Sequence, residues 1–334
     1  MSKGGLGLRS TAQLSLPAYI ASAYGVEGLV ASLLPFQRRD IALDSALEQW
    51  RDCCPEEPLP EGEDRTLQRS WDKPVTTDKV LDNLIANADN VSKCRLLSAS
   101  STSAGVWLSA LPIPSLGLKM SNEQMRICVA LRLGSRICVP HQCICGATVH
   151  EDGIHGLSCR KNGGRAPRHA EANDVIKRAL VSAGIPAIKE PQGISRQDGK
   201  RPDGATLVPW ERGRPLLWDF TCTDPLAPSN IRVALQGASK MAAAAEDKKR
   251  AKYAHLQHDY AFVPVAAETL GAWGPEAFRF LKDLGRRIRE ATGELRASQY
   301  LFQRLSIAVQ RGNAASVLSC VPTALPLNEV LYFS

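Results

Sequence analysis

"KRPDGATLVPWERGRPLLWDFTCTD" spans Lys200 to Asp224. Two apolar, β-prone arms, one near 201–208 and the other "PLLWDFTC", flank the turn-forming "PWERGR", so the stretch reads as a β-hairpin. Successive side chains of a strand alternate between faces, which sends Trp218, Phe220 and Cys222 one way and Asp219 and Thr221 the other. The apolar set suits a core and leaves Asp219 at the mouth of a cleft. Asp203, introduced by Pro202, falls near the level of Asp219 across the hairpin. Two carboxylates brought together repel one another unless a cation joins them, and hard oxygen donors select Mg²⁺ or Mn²⁺. Such an ion activates water and neutralises charge on a phosphate. Lys200, Arg201, Arg212 and Arg214 surround the two acids, which points to a polyanionic substrate.

Working outward, "IPAIKEP" before the hairpin reads as a short strand. Ahead of it, "EANDVIKRALVSAG" is a helix with Val175, Ile176, Ala179 and Leu180 on one face and Gly184 as its stop. After the hairpin the pattern gives helices over roughly 231–256, 275–291 and 294–311, the last two stopped by Gly293 and Gly312. Helix, three strands and helix make a mixed α/β core with the hairpin at its centre. The helix after the hairpin carries "EDKKRAKYAHL", where Lys249 and Tyr253 are four residues apart and share a face. Lys249 is the candidate to orient the attacking water or meet the developing oxyanion, with Lys248 and Lys252 as alternatives. Upstream, "SNEQMRICVALRLG" sets Ser121 and Gln124 in capping-box register for a helix from about 122 to 133. A helix is expected around 76–95, a linker at "CCPEEPLPEGED" (53–64), and helices over 5–50 interrupted at Pro17 and Pro35.

The stretch "CICGATVHEDGIHGLSC" places Cys143 and Cys145 one residue apart, then His155 after nine residues and Cys159 after three more. Zn²⁺ takes four tetrahedral nitrogen and sulfur ligands, and a full protein set implies a structural site. Cys138, His141 and His150 lie near enough in sequence to compete. Residues 160–260 carry 18 Lys and Arg against 11 Asp and Glu, so the positive charge is concentrated around the hairpin. Charge of this kind favours nucleic acid, although acidic proteins and membrane surfaces respond to it too. No stretch approaches the roughly 18 apolar residues of a membrane span, and "MSKGGLGLRS" lacks the apolar region of a signal peptide. The expectation is a soluble intracellular protein.

The cysteine–histidine cluster, then "RH" (Arg168, His169), "KRPD", "WDFT" and a helix bearing K-x3-Y resemble the restriction-like endonuclease at the C-terminus of non-LTR retrotransposon polyproteins, a branch of the PD-(D/E)XK nucleases. "GGLGLRSTAQLSLPAYIASAYG" resembles the end of the thumb that follows the reverse transcriptase in those polyproteins. The resemblance implies a helical thumb remnant over 1–52, a linker and helical region over 53–137, a CCHC zinc knuckle over 138–160, a restriction-like core over 161–265 and a helical region over 266–334. It implies zinc on Cys143, Cys145, His155 and Cys159, catalytic Mg²⁺ on Asp203 and Asp219, and catalytic roles for Lys249 and Tyr253. Arg168, His169, Lys200 and Arg201 would touch nucleic acid. Glu171 and Glu190 are candidates for a third acid. Such enzymes nick target DNA in the nucleus, and the freed 3′ hydroxyl primes copying of the element's RNA, so RNA or an RNA–DNA hybrid and a reverse transcriptase, in cis or in trans, are implied partners. This chain has no paired-aspartate polymerase signature, and a catalytically inactive nucleic-acid-binding remnant is the alternative reading.

Overall fold

The computed structural model describes residues 4–34, 40–194, 201–322 and 330–332. Two compact units divide the chain, one over Gly7–Ala88 and the other over residues 4–6 and 89 onward.

The smaller unit is helical: α1 (Thr11–Leu33), α2 (Ile41–Cys53), the short α3 (Gln68–Asp72) and α4 (Lys79–Asn87). Asp40 caps α2 by accepting from the amides of Ala42 and Leu43, which satisfies donors a helix start leaves open. Its core is Ile20, Ala21, Ala46, Trp50, Cys54 and Trp71. Trp50 meets Trp71 edge to face at 5.3 Å and donates its indole N–H to the Trp71 carbonyl. Two expectations change here. Helix α1 runs through Pro17, which is buried, and Pro35 lies outside the described residues. The stretch read as a linker at 53–64 belongs to this unit: Cys54 is in its core, and Trp71 donates to the Arg65 carbonyl just beyond. A boundary at 52/53 therefore falls inside one folded unit, and the division comes at 88/89. The single helix expected over 76–95 is broken there because the Asp89 side chain accepts from the Val91 and Ser92 amides and starts a new helix.

The larger unit continues with α5 (Asn90–Ala99), α6 (Asn122–Leu133), β1 (His141–Gln142), β2 (Thr148–Val149), α7 (His155–Ser158), α8 (Arg165–Ser182), β3 (Ala187–Lys189), β4 (Gly204–Glu211), β5 (Arg214–Thr223), α9 (Ile231–Ala234), α10 (Lys240–Lys252), β6 (Ala261–Glu268), α11 (Pro275–Thr292) and α12 (Ala297–Leu318). Helix α6 has the reciprocal Ser121–Gln124 capping box and a left-handed Gly134 at its end, as the sequence implies. The main sheet has the order β3-β4-β5-β6, with β6 parallel to β5 and the other pairs antiparallel. The chain is thus mixed α/β, mostly helical around one small mixed sheet.

Strand β6 is absent from the sequence reading, whose 231–256 helix is instead α9 and α10. A parallel neighbour needs a crossover, and α10 supplies it between β5 and β6. Pro264 in β6 is tolerated because that strand lies at the sheet's edge. The hairpin turn is also shorter than expected: it is the pair Arg212 and Gly213, both at positive φ, the geometry that suits a twisted two-residue hairpin. Trp210 and Glu211 belong to β4, and register shifts between Ala205 and Glu211 absorb the extra length.

Both sheet faces are covered. Leu216, Trp218 and Phe220 pack with the apolar faces of α8, α11 and α12, while Leu217 and Ala205 pack with Phe262 and Tyr253 on the other side. Helix α12 does not stop at Gly312. That glycine lies within the helix because Arg168 of α8 packs directly on it, and a β-carbon there would overlap the Arg168 side chain. Two glutamates start the helices that follow the sheet. Glu268, at the end of β6, accepts from the Met241 and Ala242 amides of α10, and Glu246 on α10 accepts from the Glu276 and Ala277 amides of α11. These remote carboxylates replace caps that Ser239 and Gly274 do not provide.

Candidate metal centres and the basic cleft

Four side chains converge at the cysteine cluster. The β1–β2 hairpin presents Cys143 and Cys145 on its turn, where the Cys143 amide donates to the Ala147 carbonyl and the Gly146 amide to the Cys143 carbonyl. Helix α7 supplies the other pair: Cys159 donates its amide to the His155 carbonyl, so the two side chains sit one helical turn apart. The ligand atoms of Cys143, Cys145, His155 and Cys159 all lie within 4.8 Å of one another. Cys143 Sγ is 3.7 Å from Cys159 Sγ, and Cys145 Sγ is 3.3 Å from His155 Nε2. Tetrahedral Zn²⁺ with ordinary bond lengths requires edges of about 3.8 Å between sulfurs and about 3.5 Å between sulfur and nitrogen. The donor set and its spacing therefore fit zinc. Among the described residues this is the only group of three or more His, Cys, Asp or Glu close enough to share an ion. The competitors stand outside this group: Cys138 donates to the His150 carbonyl, and His141 Nδ1 bonds the Val139 carbonyl at 2.7 Å while its Nε2 is buried with no hydrogen-bond partner among the described residues.

The two aspartates stand at the open end of the β4–β5 hairpin. Gly204 pairs with Trp218, so residue 203, one step outward, comes abreast of Asp219. Only glycine fits at 204, since a β-carbon would overlap the Trp218 ring, and that close approach brings Asp203 down onto β5. The Asp203 amide donates to the Trp218 carbonyl at 3.0 Å, and its carboxylate Oδ2 accepts from the Phe220 amide at 2.6 Å. His169 Nε2 of α8 lies 2.9 Å from the same oxygen. Asp219 faces α10, is 3% exposed, and accepts from Lys249 Nζ at 2.5 Å through Oδ1, with Lys252 Nζ 3.8 Å from Oδ2. Of the lysines left open by the sequence, Lys249 makes the short contact.

A chain of hydrogen bonds fixes the histidine. The Trp218 indole, which can only donate, gives its N–H to Asn173 Oδ1 at 2.9 Å. That turns the Asn173 amide nitrogen toward His169 Nδ1, 3.2 Å away. Nδ1 then accepts, and the imidazole proton sits on Nε2, facing Asp203. The Asp203 carboxylate raises the His169 pKa, foremost through this hydrogen bond, while burial opposes it. A second proton on Nδ1 must displace the Asn173 contact. Neither Asn173 nor Trp218 was singled out for the site from sequence, because their link to it exists only once α8 lies on the sheet.

These partners, rather than the aspartates, line an open cleft of about 1070 Å³ between the start of α8 and α10. Arg165, His169, Lys248, Lys249 and Lys252 supply positive charge, and Glu190 and Asp224 the negative. Asp224 was missed in the sequence. It is buried, accepts at Oδ1 from the Leu226 amide and the Thr269 hydroxyl, and burial raises its pKa to about 6.

Several expected roles are relocated. Arg168 is 4% exposed and donates to Asn313 of α12 at 2.8 Å, which ties two helices together, and it also lines the cleft. Its neighbour His169 goes to Asp203 instead of standing free for a phosphate. Tyr253 is fully buried, donates to the Arg201 carbonyl at 3.0 Å and accepts from Lys252 Nζ at 2.7 Å. It positions the strand entry and a lysine and does not face the cleft. Arg201 pairs with Glu190. Glu171 pairs with Arg311 at 2.9 Å, so neither glutamate joins the aspartates. Lys200 lies outside the described residues. Among the described residues, no helix is long and apolar enough to cross a membrane.

The chain matches no protein-family model, and comparison with curated proteins finds no significant match.

Proposed function

We propose that this chain is a metal-dependent DNA endonuclease with a restriction-like PD-(D/E)XK core and a structural zinc knuckle, of the kind that non-LTR retrotransposons use to nick target DNA. The observation that carries the reading is the set formed at the hairpin's open end: Asp219 bound by Lys249 at 2.5 Å, with Asp203 abreast of it and a basic cleft alongside. Each acid keeps an oxygen for a cation. Asp203 Oδ1 has no hydrogen bond among the described residues, and neither has Asp219 Oδ2, with Lys252 Nζ 3.8 Å from it. Hard carboxylate oxygens suit Mg²⁺ or Mn²⁺, which when bound lowers the pKa of water and withdraws charge from a phosphate.

The protein's own share of the chemistry follows from the contacts. Lys249, lining the cleft and tied to Asp219, is placed to hold the attacking water or to meet the oxyanion. His169 fixes the Asp203 carboxylate, and Tyr253 fixes the segment that delivers it. Arg165, Lys248 and Lys252 give the cleft the charge to draw in a DNA backbone. The nicked strand would then prime copying by a reverse transcriptase in cis or in trans, which places the reaction in the nucleus with an RNA template as a further partner.

One observation favours a second reading, a non-cutting nucleic-acid-binding remnant: each aspartate is already held by a protein side chain, Asp203 by His169 and Asp219 by Lys249, with Glu171 and Glu190 committed elsewhere. Incubation of supercoiled plasmid with the zinc-loaded chain separates the two. Conversion to open circles that requires Mg²⁺ or Mn²⁺ supports the nuclease; DNA binding with no nicking under either ion leaves only the remnant.

A further inference from the structure

The arginines of the C-terminal helices sort by partner. Arg286 and Arg287 pair with Asp283, and Arg286 also with Glu290, all on α11. Arg311 pairs with Glu171 and donates to the Lys119 carbonyl. Arg178 on α8 and Arg304 on α12 stand apart: both line a cleft of about 550 Å³ beside the Pro114–Leu116 turn, and neither guanidinium has a hydrogen bond or ion pair among the described residues. The two carboxylates lining this cleft, Glu171 and Asp174, are bound by Arg311 at 2.9 Å and Lys189 at 2.6 Å. Arg304 is half-buried, and its pKa is lowered by burial and then by the charge of Arg178. A partly desolvated cation beside a second cation is a poor arrangement for the folded chain alone, and an anion between them relieves it.

We propose that Arg178 and Arg304 form an oxyanion site that takes a phosphate group. Two guanidinium forks can bind one tetrahedral phosphate together, because it offers oxygens to both, whereas a single fork uses both oxygens of a carboxylate. The site is separate from the cleft at His169: residues 169 and 178 are nine apart on α8, half a turn out of phase, and so face opposite ways. It does not depend on the nuclease reading.

The test titrates inorganic phosphate into the full, zinc-loaded chain at constant ionic strength, following heat and melting temperature. Phosphate should stabilise the wild type. Arg304→Gln should weaken phosphate binding by about tenfold or more, the size of one charge-assisted contact, while leaving the phosphate-free protein at least as stable as before. Arg178→Gln, at an exposed position, should weaken binding similarly with no change in folding. Equal phosphate affinity in wild type and both variants overturns the site. A second arm distinguishes the source of the phosphate. If the slope of log affinity for duplex DNA against log salt falls by about 0.9 in the variants, the occupant is a backbone phosphate; an unchanged slope with lost phosphate binding assigns a free phosphate or nucleotide. Nicking is not read in either arm, so failure here leaves the Asp203–Asp219 proposal standing, and the reverse holds as well.

Discussion

Asp203 and Asp219 are held from different sides of the sheet end, the first by His169 of α8 and the second by Lys249 of α10. On the proposed reading, replacing either acid with alanine abolishes nicking and leaves DNA affinity nearly intact, because backbone phosphates are met mainly by lysine and arginine. Lys249→Ala should lower the nicking rate about 10²-fold or more, and Lys252→Ala by less, given contacts of 2.5 and 3.8 Å to Asp219. Single-turnover rates check the ranking, and the reverse order would move the catalytic role to Lys252. The His169–Asp203 pair has its own signature in pH. Its carboxylate partner raises the folded-state pKa of His169, so the pair's stabilisation is complete below the unfolded value near 6.5 and fades as pH rises through the higher folded value. His169→Gln should flatten that part of the stability profile, measured by denaturant melts from pH 5.5 to 8.5.

At the scale of elements, the Cys143, Cys145, His155 and Cys159 cluster joins two tiny pieces, a pair of two-residue strands and a four-residue helix, which zinc on the proposed reading would hold together. Structural zinc supplies on the order of 10 kcal/mol in comparable sites. Metal analysis should give about one zinc per chain, and Cys145→Ala or chelation should unfold 138–159 with loss of its amide protection. Glu268→Ala removes the cap of α10, the helix that carries Lys249. The expected cost is about 1–2 kcal/mol, a fall of a few degrees in melting temperature, with nicking reduced in parallel. The hairpin, the α8 face and the cluster of Cys143, Cys145, His155 and Cys159 were legible from sequence because they depend on short spacings: alternation, a helical stripe and paired side chains. What was hidden depended on distant contacts. Strand β6 reads poorly alone, with alanines and Pro264 in "AFVPVAAE", and becomes a strand by pairing along β5. Gly312 signals a stop in sequence, yet it continues α12 because Arg168 needs the space. Arg168 and His169 adjoin in sequence and part company in the fold, one to Asn313 and the other to Asp203.

For the whole molecule, the cysteine–histidine cluster, the acid pair, the cleft and the Arg178–Arg304 pair all lie in the unit from residue 89 onward, and the stretch 160–260 within it carries 18 Lys and Arg against 11 Asp and Glu. DNA affinity should therefore fall steeply with salt, by about 0.9 in log–log slope for each phosphate neutralised. On the proposed reading, everything catalytic rests on Asp203 and Asp219 jointly holding one divalent ion. Mn²⁺ binding followed by electron paramagnetic resonance on the zinc-loaded chain tests this most directly. The account requires a Mn²⁺ site in the wild type that disappears in both Asp203→Ala and Asp219→Ala; identical Mn²⁺ binding in all three proteins would contradict it.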